Sequence, residues 1–67
     1  MSHIDIIKGD YIFYAWKEGE SERFDNTIKK LELSGFTLKE VERDFQNLYR
    51  YYEDTEGNEV IITECFL

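Results

Sequence analysis

The sequence predicts a small α+β domain: one antiparallel sheet packed on one helix, in the order ββαβββ. Three observations point there. Residues 48–65 hold two runs rich in β-branched and aromatic side chains, separated by Asp54-Thr55-Glu56-Gly57-Asn58. Val, Ile, Tyr and Thr suit a pleated surface and Asp, Gly and Asn supply turn conformations, so this stretch reads as a β-hairpin with a loop of about five residues. Residues 21–33 carry an apolar stripe at helical spacing. Finally, five Phe, five Tyr and one Trp give a short chain the rings for a core despite its charge, since each ring can bury about 150–250 Å².

Taken in order, residues 4–7 form a short apolar run that reads as a first strand, and Lys8-Gly9-Asp10 is a turn signal. Residues 11–16, Tyr-Ile-Phe-Tyr-Ala-Trp, are apolar at every position. A strand wetted on one side alternates, so both faces of this one call for cover. In a strand, Tyr11, Phe13 and Ala15 share one face, and Ile12, Tyr14 and Trp16 the other.

The helix follows at 21–33. Ser21 is its expected N-cap, with Glu20 and Glu22 at the positive end of the dipole and Lys29 and Lys30 nearer the negative end. Phe24, Ile28 and Leu31 fall at i, i+4 and i+7, a narrow stripe, and Gly35 supplies the left-handed residue that commonly ends a helix. Residues 36–47 carry two readings. One is a strand from Phe36 to about Arg43, turning at Asp44-Phe45-Gln46-Asn47. The other is a second helix at about 38–52, giving ββααβ, supported by a Thr37/Glu40 capping box and by Leu38, Val41, Phe45, Leu48 and Tyr52 at near-heptad spacing. The strand reading is favoured, because a helix there absorbs the aromatic run that otherwise forms the first arm of the hairpin. Under either reading Phe13, Phe24, Ile28, Leu31 and Phe36 are expected in the core.

Sixty-seven residues make a single domain, 1–67. A chain of this size buries only about 60% of its unfolded surface, so its stability is marginal and a partner subunit is a natural aid. The lone Cys65 excludes an internal disulfide, and with His3 the only histidine, a Cys/His zinc site is excluded too. The formal net charge of −7 opposes direct binding to nucleic acid or to an anionic membrane surface. No stretch approaches the ~18 apolar residues of a membrane span. The first residues lack a basic region followed by a long apolar run, and with one cysteine the expected location is cytoplasmic.

A search for chemistry yields no catalytic set. His3 has nothing around it in sequence to fix its geometry, and no cation neighbours Cys65 to make its thiol reactive, so a buried, inert thiol is expected. The carboxylate groups Glu18/Glu20/Glu22, Glu40/Glu42/Asp44 and Glu53/Asp54/Glu56/Glu59 fall in turns and on strand edges, where water keeps them ionised. The acidic loop from Asp54 fails the calcium-loop pattern: with Asp54 at position 1, position 6 is Glu59 rather than glycine. The four glycines are isolated, so there is no phosphate loop. No cofactor, metal or enzymatic activity is expected.

The functional expectation rests on surplus rings. A narrow helix covers one side of a sheet, leaving Ile12, Tyr14 and Trp16 facing away, with Arg50 and Tyr52 as candidates to join them. Tyr, Trp and Arg are enriched at interface hot spots. The chain therefore reads as a non-enzymatic, acidic protein-interaction module with candidate interface residues Ile12, Tyr14, Trp16, Arg50 and Tyr52. It would act as a homodimer or as a regulator or inhibitor docking on a larger protein. The alternative is a nucleic-acid mimic that blocks a DNA- or RNA-binding protein through aligned carboxylates. Least supported is a ligand or enzymatic site built across an oligomer interface.

Overall fold

A computed structural model describes residues 9–66, and within them the chain forms β1 (Gly9–Tyr14), α1 (Glu20–Leu33), β2 (Thr37–Arg43), β3 (Asn47–Glu53) and β4 (Glu59–Cys65). The expected strand at 4–7, and His3, lie outside the described residues. The α+β class is as the sequence predicts. Residues 38–52 are two strands and a turn, so the second-helix alternative is not adopted.

The sheet has the order β1-β4-β3-β2 and is mixed rather than wholly antiparallel. β1 runs parallel to β4, while β4–β3 and β3–β2 are antiparallel hairpins. The direction follows from chain parity. A strand–helix–strand passage returns the chain to its starting end, so β2 runs with β1. Two hairpins then reverse it twice, and β4 again runs with β1. β4 takes an interior place between β1 and β3, where Val60 and Ile62 have no exposed surface toward the helix and Ile61 is half-buried on the other side.

The helix starts one residue before the expected Ser21. Gly19 occupies the N-cap with φ +87°, in the left-handed region, and no side chain caps the first turn. A serine cap needs extended backbone at its own position; the sharp turn out of β1 instead requires a left-handed residue just ahead of Glu20, which glycine accepts. The acidic first turn serves a different purpose: Glu20 Oε1 accepts the Tyr14 backbone N–H at 3.1 Å and takes Arg23 Nη1 at 3.1 Å, tying the helix to the end of β1. At the far end the Phe36 N–H reaches Leu31 O at 3.0 Å and the Gly35 N–H reaches Glu32 O at 3.1 Å, the 6→1 and 5→2 pair of a Schellman stop around Gly35 at φ +89°. Its accompanying apolar contact joins Leu31 and Phe36, both of them in the core.

That core is Phe13, Leu31, Phe36, Tyr52, Val60 and Ile62, with Tyr11, Phe24 and Ile28 half-buried against it. Phe13 and Phe24 meet edge to face at 5.4 Å. β2 contributes nothing: each of its residues is exposed. Its register slips between Leu38 and Glu40, leaving Lys39 as an extra residue. The bulge and the charged side chains Lys39, Glu40, Glu42 and Arg43 discourage further strands from adding to this edge.

Candidate functional site

Pairing registers sort the sheet into two faces. Toward α1 lie the rows Val60/Tyr52/Leu38, Tyr11/Ile62/Arg50/Val41 and Phe13/Glu64/Leu48/Arg43. Away from it lie Glu59/Glu53/Thr37, Asp10/Ile61/Tyr51/Glu40, Ile12/Thr63/Tyr49/Glu42 and Tyr14/Cys65/Asn47. No described element covers this second set, which we call the open face.

The five expected interface residues therefore separate. Ile12 is 50% exposed and Tyr14 38% exposed on the open face. Trp16 stands in the turn after β1 rather than in a strand, 62% exposed, with its ring 5.6 Å from that of Tyr14. Arg50 and Tyr52 point the other way. Tyr52 is a core residue at 5% exposure, and burial raises its phenol pKa. Arg50 pairs with Glu64 and lies 5.0 Å over the Phe24 ring. The cause is strand parity: in β3 it is Tyr49 and Tyr51 that share a side with Ile12 and Tyr14. Cys65 is half-buried on the open face, not sealed in the core.

Those two tyrosines are held by carboxylates. Tyr51 donates its hydroxyl to Glu42 Oε1 at 2.7 Å, and Tyr49 donates to Asp44 Oδ2 at 2.9 Å. Asp44 Oδ1 also accepts the backbone N–H of Gln46 at 2.9 Å and of Asn47 at 2.8 Å, which closes the β2–β3 turn. These bonds, the Tyr49 hydroxyl first, hold the Asp44 carboxyl below its ordinary range. The β3–β4 loop repeats the device, with Asp54 Oδ1 accepting the N–H of Glu56 and Asn58 at 3.0 and 2.8 Å, and Oδ2 accepting Asn58 Nδ2 at 2.8 Å. Its oxygens are therefore engaged by the loop itself.

Hydrogen bonding to Glu42 pushes the Tyr51 phenol up to about 12. A raised pKa in the folded state contributes stability below the unfolded value of 10.0 that is lost as pH rises toward about 12. The expected result is a tyrosine absorbance titration whose latest step disappears in Tyr51→Phe and moves to lower pH in Glu42→Gln, the phenols of Tyr49 and Tyr52 being raised as well. A titration unaltered by either change rules the bond out.

A shallow depression of about 380 Å³ lies on the open face, lined by Asp10, Ile12, Tyr14, Asn47, Tyr49, Thr63 and Cys65. A smaller one of about 210 Å³, where β1 meets α1, brings Glu20 and Glu64 near Phe13 and Phe24. Each of its carboxylates is bound to an arginine, Glu20 to Arg23 and Glu64 to Arg50. This suits a structural clasp better than proton transfer. Among the described residues no three His, Cys, Asp or Glu side chains are placed to hold a metal ion, and no helix is long and apolar enough to cross a membrane.

Sequence reasoning missed Tyr49, Tyr51 and Ile61 as members of the open face. Their period-2 spacing was visible; which of the two sides would meet the helix was not. Compared with known proteins, the chain matches no family model, no curated protein and no solved structure.

Proposed function

We propose that this chain is a non-enzymatic docking module whose working surface is the open face of the sheet. One observation carries the reading. The helix covers one side only, and the other presents Ile12, Tyr14 and Trp16 at 38–62% exposure beside the rings of Tyr49 and Tyr51. Contiguous apolar and aromatic surface of this kind marks interaction sites more often than idle surface. The test is a Tyr14→Ala/Trp16→Ala variant with an unchanged circular dichroism spectrum. The wild-type chain is expected to retain a protein, or a second copy of itself by light scattering, that the variant loses. Equal retention by both abandons the face.

A second reading, mimicry of a nucleic-acid backbone, is favoured by where the carboxylates fall. Asp10, Glu40, Glu42, Glu53 and Glu59 all occupy open-face positions in the strands. On that reading the docked protein is one that otherwise binds DNA or RNA.

A further inference from the structure

We propose that the open face docks a cationic protein surface, with arginine guanidinium groups seated against Tyr49 and Tyr51 between the carboxylates of Asp10 on one side and Glu40 and Glu42 on the other. This rests on the docking reading above and names the partner's chemistry.

Charge is segregated between the two sides. The open-face rows carry five carboxylates and no lysine or arginine at a paired position, with Lys39 in the bulge beside Glu40, whereas toward the helix Arg43 and Arg50 share their side with Glu64, and the helix itself carries Arg23, Lys29 and Lys30 along with Glu20, Glu22, Asp25 and Glu32. Five of the fifteen acidic residues thus line the face that lacks a cover, while charges on the helix and on the side of the sheet beneath it nearly balance. A second copy is a poor occupant: face to face, each acidic margin meets another, and like charges across an interface are unfavourable. Size argues the same way. Four strands about 4.8 Å apart and six residues long at about 3.3 Å each give a small planar footprint of about 400 Å². On a face that small and that acidic, a partner of opposite sign is steered into place and a like-charged one is excluded.

The rings decide for arginine over lysine. A guanidinium is planar and weakly hydrated, so it stacks on an aromatic face while its edge bonds a carboxylate; an ammonium is a compact, strongly hydrated point charge. Tyr51 and Glu42 are joined at 2.7 Å and Glu40 stands opposite Tyr51 in the register, so ring and carboxylate are already fixed side by side.

The experiment titrates the chain with a short peptide of alternating arginine and glycine, and with its lysine counterpart, reading Trp16 fluorescence and amide shifts. The arginine peptide is expected to bind more tightly, and to weaken as salt rises from about 50 to about 200 mM. Glu40→Gln/Glu42→Gln is expected to weaken it about three- to tenfold. Asp25→Asn/Glu32→Gln, which removes the same charge from the helix, is expected to change it little. No arginine-peptide binding, equal binding of the lysine peptide, or an equal loss in the helix variant each overturns the proposal. The docking reading fails separately: it falls only if Tyr14→Ala/Trp16→Ala retains everything that the wild-type chain retains.

Discussion

Ile62→Ala is expected to lower the unfolding free energy by about 2–5 kcal/mol, the range for emptying a fully buried aliphatic site. Ile62 has no exposed surface and lies in the middle of β4, paired with Tyr11 on one side and Arg50 on the other. A domain of this length has in total about 3–10 kcal/mol, from roughly 0.05–0.15 per residue. The substitution therefore removes much of the margin and leaves a measurable unfolded population at room temperature. Ile62→Val deletes a single methyl group and is expected to lose about 0.5–1.5 kcal/mol. The informative partner is Ile61→Ala. It is the next residue on the same strand and points to the open face, where it is only half-buried. Urea titrations of the three variants are expected to order them Ile62→Ala, then Ile61→Ala, close to Ile62→Val. If Ile61→Ala were as damaging as Ile62→Ala, the second face would already be covered in the isolated chain.

The contrast between Ile61 and Ile62 also marks how far the sequence could be read. The hairpin loop falls at 54–58, the turn at Asp44 and the helix stop at Gly35, because each depends on local chemistry: an aspartate that accepts nearby N–H groups, or a residue tolerant of left-handed backbone. Long-range choices were not legible. The helix-like spacing of Leu38 and Val41 comes from the extra residue at Lys39, which puts both on the helix side of a strand; a bulge imitates an i, i+3 step. β3 is apolar or aromatic toward both sides, so its pattern is silent on which side meets the helix. Arg50 looked like surface because arginine usually is. Glu64, fourteen residues away, brings it in, and no local rule reports that.

The same arrangement limits what the helix can shelter. α1 lies over β1, β4 and β3 and stops short of β2, where Leu38 and Val41 remain about half exposed. The open face is therefore one of two uncovered regions, and charge distinguishes them. The flank of β2 toward the helix carries Arg43 and Arg50 among its neighbours, and the paired charged positions of the open face are carboxylates, with Lys39 in the bulge beside Glu40.

Breaking the pair between Arg50 and Glu64 is the second large effect expected. Their side chains are 25% and 20% exposed, buried enough that an unmatched charge is costly and wet enough that the 3–5 kcal/mol of a fully buried pair is an upper bound. About 1–3 kcal/mol per single substitution is the expected range. The two singles should differ. In Glu64→Leu the guanidinium keeps its place over the Phe24 ring, 5.0 Å away, which offsets part of the loss. In Arg50→Met the Glu64 carboxylate is left beside Phe13, its register partner, and the guanidinium 4.4 Å over that ring, Arg23, is already paired with Glu20. Arg50→Met should thus be the more damaging. The double variant Arg50→Met/Glu64→Leu replaces the pair with apolar groups of similar volume, and is expected to lose less than the sum of the singles by about 0.5–3 kcal/mol in a urea-based cycle. Additivity within about 0.5 kcal/mol would mean that the two charges are not coupled. Because the pair faces the helix, the double variant is also expected to bind the arginine peptide as the wild type does. A folded double variant that had lost binding would return Arg50 to the interface and overturn the division of the sheet into a structural side and a docking side.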